Sequence, residues 1–69
     1  MENYIVVEMQ KGQNGKISTI VNAYETLNEA ESKFFTIMSA AAISNVPQHG
    51  AFILHADGNV SRNEIYTHE

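Results

Sequence analysis

Two dipeptides, Asn14-Gly15 and Asp57-Gly58, constrain the fold of this chain more than any other feature. Asn-Gly and Asp-Gly accept positive φ at both central positions of a tight hairpin turn. Each dipeptide sits between runs rich in β-branched and aromatic residues, which favour strands. The first pair of runs is residues 4–10 (YIVVEMQ) and 16–25 (KISTIVNAYE); the second is 50–56 (GAFILHA) and 59–67 (NVSRNEIYT). Between the hairpins lies one stretch of helical periodicity, Asn28 to Ile43. The order is hairpin, helix, hairpin. It predicts a single α+β domain over residues 1–69, a ββαββ unit with a four-stranded antiparallel sheet and one helix packed on one face. A 16-residue helix is about 24 Å long, and strands of seven or eight residues are about 25 Å, so one helix can cover one sheet face.

Turn length sets the strand register. A two-residue loop at Asn14-Gly15 places Met9 opposite Ile20, Val7 opposite Asn22 and Ile5 opposite Tyr24. A four-residue loop changes the partners and keeps the faces. One face then carries Ile5, Val7, Met9, Ile20 and Tyr24, and the other Tyr4, Val6, Ile17, Val21 and Ala23. Both are apolar, whereas a sheet with one wet side alternates more cleanly. In the second hairpin, a two-residue loop at Asp57-Gly58 sets His55 opposite Val60, Ile53 opposite Arg62, Ala51 opposite Glu64 and His49 near Tyr66. The opposite face, with Phe52, Leu54 and Ile65, is the expected core side.

Asn28 is the expected helix cap, with Glu31 three residues on as an analogue of the capping box. Glu29 and Lys33 have the favoured i,i+4 order. At ~100° per residue, Leu27, Ala30, Phe34, Ile37, Met38 and Ala41 share one arc, which Phe35 and Ala42 widen to roughly 160°. Pro47 ends the pattern by biasing Val46 away from helical angles. From Phe34 to Ala56 there is no Asp, Glu, Lys or Arg, in a chain that is 17% charged. Two readings fit: a small core with a bland Ser/Thr/Ala outer face, or partial burial by another subunit. Size favours the second. A domain this short buries only about 60% of the surface of its unfolded chain, and with no cysteine it has no disulfide to brace it. Phe35, Met38, Ala42 and Ile43 are the expected oligomer interface.

Composition excludes several functions. The net charge is −4, and Lys11, Lys16, Lys33 and Arg62 are scattered; nucleic-acid binding needs a basic stripe. No apolar run approaches the ~20 residues of a membrane span. The opening residues, MENYIVVE, carry acid and no basic leader. The expectation is a soluble protein of a reducing cytoplasm. Without cysteine there is no cysteine zinc site and no thiol chemistry.

The histidines are the remaining candidates for chemistry. His49 and His55 share a strand face but lie about 20 Å apart, so no metal site within one chain and no cofactor is expected. His68 falls at an end expected to fray. His49, His55, Arg62, Glu64 and Tyr66 form a polar row able to bind a small anionic ligand or a partner protein; the same row also fits the ordinary wet side of an edge hairpin. Ser61, His55 and Glu64 can be written as a triad, but no nucleophile elbow or oxyanion feature accompanies them. A non-enzymatic protein is expected.

Tyr4-Ile5-Val6-Val7-Glu8, Asn28-Glu29-Ala30-Glu31-Ser32-Lys33 and Ser39-Ala40-Ala41-Ala42-Ile43-Ser44 are followed by a His and by a Glu-x-Tyr near the end. Together these segments resemble small uncharacterised proteins encoded in phages, prophages and gut Firmicutes, over nearly the whole chain. The resemblance implies a context, the cytoplasm of a host bacterium. It also implies two roles: an inhibitor of host defence that binds a host protein or sequesters a small anionic signal, or a structural accessory protein of a phage or mobile element. The expected partner in either role includes a second copy of the chain, as a homodimer or higher oligomer.

Overall fold

A computed structural model describes residues 2–68. The elements are β1 (Tyr4–Lys11), β2 (Ile17–Tyr24), α1 (Leu27–Ala42), β3 (Gln48–His55) and β4 (Val60–Thr67). They form a ββαββ fold with one antiparallel sheet in the order β2-β1-β3-β4. The crossover through α1 places β3 beside β1, so β2 and β4 become the edges.

Both hairpins use the same turn, and its length is three residues. In the first, the Gly15 N–H donates to Gly12 O and the Gly12 N–H to Lys16 O, both at 3.0 Å. Gly15 has φ +81°, and Asn14 Oδ1 accepts from the Lys16 N–H at 3.0 Å. The second repeats this: the Gly58 N–H donates to His55 O and the His55 N–H to Asn59 O. Gly58 has φ +96°, and Asp57 Oδ1 accepts from the Asn59 N–H. A short turn closed by a glycine at positive φ is a common three-residue hairpin loop. The odd length corrects the expected register of the first hairpin. Met9 pairs with Thr19, Val7 with Val21 and Ile5 with Ala23. Ile17, Val21 and Ala23 therefore join the face of Ile5, Val7 and Met9, while Ile20 and Tyr24 turn to the face of Tyr4 and Val6. In the second hairpin an irregularity leaves Ser61 as an extra residue on β4, and pairing returns to Ile53–Arg62, Ala51–Glu64 and His49–Tyr66.

The helix cap lies two residues earlier than expected, at Thr26 and not Asn28. Thr26 Oγ1 accepts from the Glu29 N–H at 3.2 Å, and the Glu29 carboxylate accepts from the Thr26 N–H and hydroxyl. This is a complete capping box, with Glu29 in the role expected of Glu31. The inward arc is as expected for Ala30, Phe34, Ile37, Met38 and Ala41, all buried, whereas Leu27 is 37% exposed. These five pack on Val6, Ala51 and Ile53. The covered side of the second hairpin is therefore that of Ala51 and Ile53, not that of Phe52, Leu54 and Ile65. The physical reason is size: small Ala51 lets the helix approach, and Val6 and Ile53, neighbours across β1 and β3, fill the space beneath Phe34. Deleting the buried Phe34 ring would cost about 3–5 kcal/mol.

The last described residue is tied down, contrary to a frayed end. The His68 N–H donates to Pro47 O at 2.7 Å, and His68 Nε2 lies 2.8 Å from Ala41 O. The ring thus donates to a carbonyl of the last helical turn, which also accepts from the Ser44 N–H at 3.3 Å. Glu69 falls outside the described residues.

Candidate functional site

Alternation along each strand sorts the sheet into a covered and an open face. The open face carries Ile5, Val7 and Met9 of β1, Ile17 and Val21 of β2, Phe52 and Leu54 of β3, and Val60 and Ile65 of β4. Among the described residues no element packs over it. Ile17 is 62% exposed, Val21 60%, Val60 52% and Ile65 50%, while Ile5, Val7, Met9, Phe52 and Leu54 are half-buried by their sheet neighbours. Lys11 and Gln48 mark one end and Asn63 interrupts β4, so the apolar centre spans all four strands. With strands ~3.3 Å per residue and ~4.8 Å apart, the face measures roughly 26 by 19 Å. That lies in the upper part of the roughly 300–600 Å² range of the largest apolar patch on a typical monomer, patches that are often functional.

The polar row lies on the covered side, along the flank of α1. His49 is buried at 5% exposure. Its Nε2 is 2.8 Å from Glu8 Oε2, and Gln10 Nε2 donates to the same oxygen at 3.3 Å. His49 Nδ1 is buried with no hydrogen-bond partner among the described residues. Such a pair holds β3 to β1 on the helix side, because burying either group alone carries a desolvation penalty. Tyr66 stands opposite His49, Glu64 two residues along and Arg62 four. Arg62 Nε donates to Glu31 Oε2 at 3.1 Å, and its guanidinium sits 5.1 Å from the Phe35 ring centroid. One arginine therefore joins β4 to two turns of the helix, through an ion pair and a cation–π contact. His55, at the far end, meets the Tyr4 ring edge-on at 4.8 Å, beside a shallow hollow of about 310 Å³ also lined by Asn3, Ala56 and Asp57.

The five residues thus share a side of the sheet without converging. His49 is engaged by Glu8, Arg62 by Glu31 and Phe35, and His55 lies a strand's length from His49. Met38 belongs to the core, whereas Phe35, Ala42 and Ile43 are exposed, Ile43 at 86%. Their surface is split, since Phe35 faces Arg62 on β4 and Ile43 closes the helix end. Among the described residues no three His, Cys, Asp or Glu side chains are grouped as metal ligands, and no helix is long and apolar enough to cross a membrane. Sequence reasoning missed the open face as one surface because the register of the first hairpin was shifted by one. The odd three-residue turn was the signal that would have found it. Comparison of the chain with protein-family models, curated proteins and solved structures gives no match.

Proposed function

We propose that this chain is a non-enzymatic binding protein that works as a homodimer or higher oligomer, with the open sheet face as its contact surface. The observation that carries the reading is the apolar surface that reaches across all four strands on the open side, interrupted by Thr19 and Asn63. Its proposed occupant is the same face of a second copy. Two twisted sheets pack about 10 Å apart with strands some 30° out of line, and a two-fold axis makes one patch complement itself. A footprint of roughly 500 Å² on each partner gives about 1,000 Å² in all, the lower limit for a specific interface. Burying it moves Ile17, Val21, Val60 and Ile65 out of water at ~25 cal/mol per Å². Binding fits the polar row better than catalysis does, because His49 and Arg62 are each engaged by a carboxylate and the row is spread along the strands without converging. A protein partner fits it better than a small anion, since Arg62 already faces Glu31.

In the phage-type setting that the sequence resemblance implies, the assembled protein inhibits a host defence by capturing a host protein in the bacterial cytoplasm. The accessory structural role is the second reading, favoured by the uncharged edge strand β2. Size-exclusion with light scattering tests the assembly. The expected result is a multimer at micromolar concentration whose mass Ile65→Glu lowers without loss of fold. A wild-type monomer there sinks the reading. Affinity capture from host lysate, with Ile65→Glu as control, separates the two roles: a specific host protein supports inhibition, and self-association alone supports structure.

A further inference from the structure

The open face is not the only unpartnered surface. β2 has the apolar composition of an interior strand and the position of an edge. Its sequence, ISTIVNAY, contains no charge, no Pro and no Gly, and its pairing with β1 runs without a register shift. Edge strands are normally blunted by such devices, because a bare edge recruits another strand. The helix leaves β2 largely uncovered on its own side too, where Ile20 is 54% exposed.

The direction of the edge groups follows from the first turn. Gly12 and Lys16 are a hydrogen-bonded pair. Hydrogen-bonded and non-hydrogen-bonded pairs alternate along an antiparallel ladder. Ser18, Ile20, Asn22 and Tyr24 therefore point their N–H and C=O groups at β1. Ile17, Thr19, Val21 and Ala23 point theirs outward, at the free edge.

We propose that β2 pairs antiparallel with β2 of a second copy, about a two-fold axis perpendicular to the sheet and midway between the two Ile20 residues. This register matches Ile17 with Ala23 and Thr19 with Val21, in both directions, so every outward residue meets an outward residue. It also sets the two exposed Ile20 side chains opposite each other in a non-hydrogen-bonded pair, where side chains approach most closely. A register two residues further along loses Ile17 as a partner. The result is a continuous eight-stranded sheet with both helices on one side and both open faces on the other. The edge contact is independent of face-to-face packing. Where both form, the two kinds of two-fold axis close into a tetramer with no free β2 edge.

Light scattering and amide hydrogen exchange of the full chain test this. The expected wild-type mass is four times that of the chain, with the outward amides of Ile17, Thr19, Val21 and Ala23 protected as well as the inward ones. Thr19→Pro removes one outward donor at a position where an edge strand tolerates proline. Ile20→Lys leaves the backbone intact and sets like charges opposite each other. Each should halve the mass and abolish protection of the outward amides. Ile65→Glu should also halve the mass but leave that protection in place. Edge pairing is overturned if the outward amides exchange freely in the wild-type assembly, or if folded Ile20→Lys keeps both mass and protection. The face reading fails separately, if Ile65→Glu leaves the mass unchanged.

Discussion

β2 and β4 are edge strands of equal length, each joined to its inner neighbour by the same three-residue turn. β4 is tied to the rest of the molecule away from its ladder. Arg62 reaches Glu31 and Phe35 on the helix. Tyr66 stacks on His68, with near-parallel rings 6.1 Å apart, and His68 binds the helix end. β4 also carries two charges and an irregularity at Ser61, all of which discourage strand addition. β2 carries no charge and no register irregularity; Tyr24 at its end packs against the core, but its large side chains Ile17, Ile20 and Val21 stand in solvent. One small sheet thus has one edge tied to the helix and one edge left bare among the described residues.

The contrast can be tested, beginning where the effect should be greatest. An added Cβ at Gly50, where β3 meets β4, would collide with Glu64 O and come within 2.9 Å of Ile65 Cα. Gly50→Ala should destabilise the fold by about 3 kcal/mol in chemical denaturation, whereas Ala23→Val on exposed β2 should stay within about 0.5 kcal/mol. Equal losses at the two positions would remove the distinction between the edges. His68→Ala should cost about 1 kcal/mol and speed amide exchange in the last turn of α1; stability unchanged to within error would mean the tail does not anchor β4. For Arg62→Ala the expected loss is about 0.5–1 kcal/mol, since the pair is partly exposed. A double-mutant cycle with Glu31→Ala checks it, and zero coupling would leave the strand held by its ladder alone. The smallest effect is expected for Ile20→Lys, within about 0.5 kcal/mol when measured on dissociated protein. A large loss there would show that Ile20 supports the monomer and not a contact between copies.

Most of the architecture was legible because the strongest local signals agreed with each other. The two glycine turns, the single helical period and the lengths of the runs all pointed to one sheet under one helix. Ala30, Phe34, Ile37, Met38 and Ala41 were readable as the buried arc because helical period is insensitive to an error at the cap. The cap itself was misplaced because Thr26-x-x-Glu29 and Asn28-x-x-Glu31 are overlapping candidates, and Glu31 is drawn away by Arg62, 31 residues on. The two hairpins show why strand faces are harder to read. Both turns have odd length, but in β4 the extra residue at Ser61 cancels the shift, so the expected pairs from Ile53–Arg62 onward hold. β2 has no such compensation, and each of its residues lies on the face opposite to that expected relative to β1. The polar row was correctly grouped on one side, yet its engagement by Glu8, Glu31 and Phe35 depends on chain segments that only the tertiary fold brings near.

The parity of the first turn has an evolutionary consequence. If the turn kept its three-residue form, inserting or deleting one residue between Gly12 and Lys16 would rotate β2 by half a turn relative to β1, exchanging Ile17 and Val21 for Ile20 and Asn22 on the open side. A change of two residues would preserve the sides. Length variation in this loop among descendants of the chain should therefore come in even steps, unless a second indel within β2 restores the phase.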